Sequence, residues 1–226
     1  MERIRQAALA AGREPGEITL CAATKVQTDE TIRAAIAAGV RVCGENRVQE
    51  LVAHLAADAY AEAEQVHFIG HLQTNKVRQV VGRVELIESV GSEHLLEAIE
   101  AQAAKLELVQ DILLEVNIGG EASKSGISPE ELSALAAQAV GSPHVRLRGL
   151  MAIPPVAAGP DGNRPFFAKM RQLYVDIRSQ MDDNKTSFDC LSMGMSGDFE
   201  DAVREGATLV RVGTALFGPR PPMHKG

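Results

Sequence analysis

Three groups of residues in this chain have types and spacings suited to one chemistry. Lys25 ends the short apolar run "TLCAATK". Side chains on a strand alternate, so Thr19, Cys21 and Ala23 share its face while Ile18, Leu20, Ala22 and Thr24 take the other. Small neighbours around an amine leave a space that something other than protein can fill. A lysine at a strand end also has a plain use, reaching water along its own stem, and only the company it keeps in the fold decides between the two. The second group is "SMGMSGDFEDAV", where Ser196 and Gly197 open a helix after a strand that ends near Gly194. Backbone N–H groups at a helix start and a serine hydroxyl bind phosphate, and glycine permits close approach; the same serine also serves as a cap for its own helix. Gly213 and Thr214 in "RVGTALFG" supply a second turn of this kind. The third is Arg211, which lies between Val210 and Val212 and shares a face with Leu209 and Gly213. A guanidinium there needs a partner, either a neighbouring carboxylate or an acceptor on a ligand. A lysine that forms an imine, a phosphate cradle and an arginine facing a ring nitrogen are together what pyridoxal 5′-phosphate requires.

These residues act together only if the fold brings them to one place. Strand-like runs are "ITLCAAT", "VRVCGE" at 40–45, "HFIGH" at 67–71, "VELIESV" at 84–90, "DILLEVN" at 111–117, "LRGLMAI" at 147–153, "FDCLSMG" at 188–194 and "TLVRVGTAL" at 208–216. Helical segments are expected between them at 28–38, 46–59, 73–82, 92–105, 129–140, 165–182 and 198–205, after a first helix in "MERIRQAALAAGRE". Start signals include Thr28 before "DETI" and Ser128-Pro129 before "EEL". Eight βα units most economically close into a parallel (β/α)8 TIM-like barrel, expected as a single domain over 1–226. A doubly wound open sheet is the alternative, but the first βα turn, "TKVQTDE", lacks a glycine-rich dinucleotide fingerprint. On a barrel, Lys25 and the "GENRVQE", "GHLQTNK" and "SMGMSGD" turns all meet at the C-terminal mouth. The loops after the seventh and eighth strands are a frequent phosphate site there, which favours Ser196 and Gly213 as ligands. The irregular stretch "PPVAAGPDGNRP" at 154–165 is a candidate lid over that face.

Composition narrows the function classes. A net charge of −7 argues against a general nucleic-acid binder. No run is long and apolar enough for a membrane span, and the start shows no signal-peptide pattern. Cys21, Cys43 and Cys190 stand singly in apolar runs, as reduced core residues of a cytoplasmic protein do. His67 and His71 bracket a strand-like segment, where a spacing of four does not converge on a metal, so no metal site is expected. In "GGEASKSG", Glu121 and Lys124 read as solvated loop charges, the other readings being that Lys124 pairs with Glu121 or reaches an anion.

The sequence resembles the pyridoxal phosphate homeostasis proteins, whose fold is similar to the N-terminal barrel domain of alanine racemase. The matching motifs are "CAATK", "GENRVQEL", "HFIGHLQTNKV", "EVNIGGEASKSGI", "GLMAI" and "LSMGMSGDFEDAVREGATLVRVGTALFG", in family order as far as Gly218. The resemblance implies that Lys25 carries the cofactor as a reversible Schiff base and that Asn46 lines the site. It also implies that Ser196, Gly213 and Thr214 hold the phosphate, beside Gly197, and that Arg211 meets the pyridine nitrogen. Asn46, with Gln49 after it, is equally placed to cap the following helix. Two departures stand out: Ala23-Thr24 where the family has Val-Ser, and Gly91 in "ESVGS" where an aspartate is usual. The expectation is a cytoplasmic carrier or buffer in vitamin B6 homeostasis, a monomer that is not an enzyme, with pyridoxal phosphate as ligand and cofactor-accepting apo-enzymes as possible partners. The rivals are a pyridoxal-phosphate-dependent amino-acid racemase and, more distantly, a Schiff-base aldolase. Racemisation needs a second acid–base group opposite the lysine. In alanine racemases that group is a tyrosine from a further C-terminal domain; here the chain ends in "GPRPPMHKG", and Tyr60 and Tyr174 fall in segments expected to be helical and outside the barrel.

Overall fold

The computed structural model describes residues 1–121, 124–155, 162–181 and 188–219. Eight parallel strands close on themselves in sequence order, so the open doubly wound sheet is excluded. They are β1 (Thr19–Ala23), β2 (Val42–Glu45), β3 (Gln65–Phe68), β4 (Leu86–Val90), β5 (Gln110–Glu115), β6 (Val145–Met151), β7 (Cys190–Ser192) and β8 (Leu209–Val212). Closure is made by β1, which pairs Cys21 with Val42 on one side and with Arg211 on the other. That register places Arg211 beside the strand leading to Lys25.

Helices follow the strands: α1 (Glu2–Ala10) before the barrel, then α2 (Asp29–Ala37), α3 (Val48–Ala56), α4 (Glu93–Lys105), α5 (Leu132–Gly141), α6 (Arg164–Ser179), α7 (Phe199–Arg204) and α8 (Thr214–Phe217). The cap signals work locally. Thr28 and Ser92 accept the N–H groups of Thr31 and Leu95, at 3.3 and 3.2 Å, and start α2 and α4. Ser128 and Glu131 exchange bonds as a capping box one turn ahead of α5. Several elements differ from expectation, among them α5, which starts at Leu132 rather than 129, and β7, which is shorter than 188–194. Residues 73–82 form a 3-10 helix over Thr74–Gln79; the third strand starts earlier and leaves Ile69–His71 as a rim turn; and the last strand stops at Val212, so 214–217 becomes helix.

Apolar side chains on the outward strand faces, such as Phe68, Ile87, Ile112 and Leu114, pack under the helices in one continuous core. The barrel interior is different. Small apolar clusters around Cys21, Ala23 and Ile69, and around Leu113 and Met151, share it with buried His67, Glu88, Ser192 and Arg211. Buried polar groups must find partners, and this interior chain of them leads up to the mouth.

Candidate functional site

Lys25 lies in the turn just after β1, half-buried, on the interior side with Ala23. The turn is tightly defined by its surroundings. Val26 takes a left-handed backbone, φ 60°, uncommon for a β-branched residue, and its N–H is held by the Glu50 carboxylate on α3 at 2.8 Å. On the other side Thr24 is buried and its hydroxyl meets the Gly44 carbonyl and the Tyr60 hydroxyl, both at 3.1 Å. Tyr60 in turn donates to Glu45 at 3.1 Å. Tyr60 sits in the turn after α3 rather than within a helix, and burial pushes its phenol well up, which keeps it a donor. Burial also raises Glu45, against the pull of the backbone N–H groups that it accepts from Asn46 (2.7 Å) and Arg47 (3.3 Å). Asn46 is therefore not the cap of α3; that position belongs to Arg47, and the Glu45 carboxylate takes the amides. Asn46 is pinned from the opposite side by Gly70, where an added Cβ would fall 2.0 Å from the Asn46 carbonyl oxygen. Only glycine fits there.

The phosphate-type turns meet, in a way that corrects the expected helix start. Ser196 and Gly197 do not open α7, whose N-cap is Asp198. Instead the Ser196 hydroxyl oxygen accepts the N–H groups of Gly213 (3.1 Å) and Ala215 (3.2 Å), at the start of α8. The two turns thus form one concave surface lined by Ser196, Gly197, Gly213 and Thr214.

Arg211 has both kinds of neighbour that its position allowed. Behind it, the guanidinium bonds Ser192 Oγ and the Ala152 carbonyl (2.9 Å) and lies 3.6 Å from Glu88. Glu88 also holds His67 Nδ1 at 2.8 Å and accepts from Ser192. Burial alone would raise the Glu88 carboxyl, but the His67 bond and charge, Arg211 and Ser192 together hold it below its ordinary value. In front, Arg211 faces a cavity of about 260 Å³. Lys25, Asn46, Ser196, Gly197, Arg211, Gly213 and Thr214 all line that cavity, with Ile69 and Ile153 as apolar walls.

The carboxylates Glu45, Glu88 and Glu115 were missed by reading the sequence. Their signal was there: each interrupts a buried apolar strand run, "VCGE", "LIESV" and "ILLEV", where a charge needs a reason. His67 and His71 go separate ways, His67 to Glu88 and His71 Nδ1 to Ser125 Oγ at 3.0 Å. Lys124 is not simply solvated, since its ammonium bonds the Pro154 carbonyl at 3.0 Å and pairs with Glu121 at 2.7 Å. Gly91 has a steric reason: a Cβ there would meet the Gly126 backbone at 2.8 Å, so an aspartate has no room. Residues 156–161 of the candidate lid and 220–226 of the tail lie outside the described residues.

The comparisons with known proteins agree with this geometry. Residues 4–221 match the family described as "Alanine racemase, N-terminal domain". The pyridoxal phosphate homeostasis protein of Aquifex aeolicus is 44% identical over 220 residues, covering 97% of this chain and 95% of that one. This chain belongs to that family. The solved structure of PipY from Synechococcus elongatus, described with PLP bound, superposes with a TM-score of 0.81 at 34% identity, covering 96% of this chain and 100% of PipY. An alanine racemase from Clostridium difficile shares the fold, with a TM-score of 0.72 at 14% identity, covering 98% of this chain and 56% of the racemase. No helix among the described residues of this homeostasis-family chain is long and apolar enough to cross a membrane.

Proposed function

We propose that this chain binds pyridoxal 5′-phosphate as a reversible Schiff base on Lys25 and serves vitamin B6 homeostasis as a carrier or buffer, working as a single domain in the cytoplasm. The observation that carries the reading is the convergence of an amine, two phosphate-type turns and a guanidinium on one cavity of about 260 Å³. The fit is chemical as well as spatial. The Ser196 oxygen already sits where the Gly213 and Ala215 amides converge, and with its acceptor sites used its proton is free to point at a phosphate oxygen. Family membership and the PLP-bound PipY structure support the same ligand. When bound, the cofactor supplies an aldehyde for imine formation and a pyridine ring that withdraws electrons.

The protein's own groups argue for holding over turning over. Arg211, fixed from behind by Glu88 and Ser192, places a permanent positive charge beside the cavity, which disfavours protonation of a nearby ring nitrogen. The ring is then a weak electron sink. Among the described residues no tyrosine lines the cavity: Tyr60 is engaged with Thr24 and Glu45, and Tyr174 bonds the Phe188 carbonyl at 3.0 Å. Incubation of cofactor-loaded protein with L-alanine, with assay of the D-isomer, tests this. The expected result is retained cofactor and no racemisation; turnover near 1 s⁻¹, an ordinary enzyme rate, lost in Lys25→Ala, favours the racemase instead.

A further inference from the structure

A second cavity, of about 280 Å³, adjoins the first and shares Asn46, Ile69 and Ile153 with it. Its remaining walls are Gly70 and His71 after β3, Glu115 and Val116 at the end of β5, and Lys124 and Ser125 in the loop beyond. Glu115 is only 6% exposed, and its Oε2 has no hydrogen-bond partner among the described residues. A buried carboxyl oxygen left unpaired is costly, so this one is arranged for a donor that the described residues do not provide.

We propose that this second cavity is a binding site for a small α-amino acid, its amino group on Glu115 and its carboxylate towards Lys124, Ser125 and His71. The charges select that class. An anion alone leaves the buried Glu115 oxygen without the donor it lacks, and a simple amine leaves the polar rim of Lys124, Ser125 and His71 unused. A zwitterion satisfies both. The rim is held in place for it: Lys124 is anchored by the Pro154 carbonyl and Glu121, and Ser125 by His71. Burial raises the Glu115 carboxyl above its ordinary value, with Arg211 pulling the other way, so the empty site favours the proton and an ammonium partner restores the charge. The site does not depend on Lys25 chemistry, although its position beside the cofactor cavity gains meaning from the cofactor reading.

Binding of radiolabelled L-alanine, measured by equilibrium dialysis, tests the proposal on protein loaded with pyridoxal phosphate and fixed with borohydride, in which Lys25 can no longer exchange. The expected result is saturable binding, weakened at least about tenfold by Glu115→Gln and to a lesser degree by Ser125→Ala. Propionate and ethylamine should each bind far more weakly than alanine. Melting curves of both variants establish that they are folded, and Ser125→Ala at the rim decides the matter if Glu115→Gln is not. No saturable binding to wild type, equal binding by the variants, or full displacement by inorganic phosphate would overturn the amino-acid site. If borohydride fixes no pyridoxyl group, the cofactor reading has failed instead, and the same titration on the untreated chain still decides the second cavity.

Discussion

Replacing Ser196 by alanine separates phosphate binding from a structural role. The hydroxyl oxygen accepts two backbone N–H groups, from Gly213 at 3.1 Å and Ala215 at 3.2 Å, which uses its acceptor capacity and leaves its proton for a ligand. A bond from that proton to a phosphate is charge-assisted and contributes about 1.5–3 kcal/mol. Removing the hydroxyl also releases both amides, which can turn to the phosphate and recover part of the loss. The net effect therefore falls near the lower end, about 1.4 kcal/mol or tenfold in Kd. In the ligand-free protein the two released amides are within reach of water, so stability should drop by no more than about 1 kcal/mol. Equilibrium dialysis of wild type and Ser196→Ala with pyridoxal phosphate, and separately with pyridoxal, measures this. The phosphate ester should lose about tenfold while pyridoxal is unchanged. Equal losses for both ligands would assign Ser196 to the fold alone.

Gly70→Ala places a Cβ 2.0 Å from the Asn46 carbonyl oxygen and 2.7 Å from its carbon, contacts with backbone that cannot yield. A loss of about 3 kcal/mol in chemical denaturation, together with weaker cofactor retention, is expected; a variant that denatures like wild type would show that the rim turn is soft. Tyr60→Phe removes the donor on buried Glu45 and the partner of Thr24, for an expected loss of about 1–3 kcal/mol, and an unchanged midpoint would remove this contact from the account of how the Lys25 turn is held. Glu115 has a folded-state pKa raised by burial, so its contribution is fully present below its unfolded value of 4.5 and is lost as pH rises through the higher folded value. Melting temperatures from pH 4 upward should accordingly shift in favour of Glu115→Gln over wild type as pH rises, the opposite of an ion-paired carboxylate; a shift towards wild type would contradict a carboxyl raised by burial.

The barrel was legible because alternation of β-branched runs with alanine-rich segments is set by local side-chain periodicity, and closure by the number of such units. Lys25, Arg211 and the two glycine turns were legible because each breaks a local pattern at a strand end. What escaped was the pairing between distant elements. Ser196 looked like a cap for the helix that follows it, but its hydroxyl crosses to the start of α8, a contact set by the register of β7 and β8. Asn46 looked like a cap in the same way, and the role passed to Glu45 because that carboxylate reaches both following amides. Arg211's partner, Glu88, lies on β4 across the barrel interior, and no spacing along the chain reports that proximity. Gly91 reads in sequence as the loss of a rim side chain, and only the packing of the Gly126 backbone against it supplies the reason.

On the proposed function, Lys25 is the residue on which the cofactor is held. The most direct measurement is to load the protein with pyridoxal phosphate, fix it with borohydride, digest it and locate the pyridoxyl group by mass spectrometry. The expected result is a single modified peptide carrying the group on Lys25, with the yellow colour absent from a folded Lys25→Ala variant. A pyridoxyl group found on Lys76 or Lys124 in the wild-type chain, with Lys25 unmodified, would contradict it.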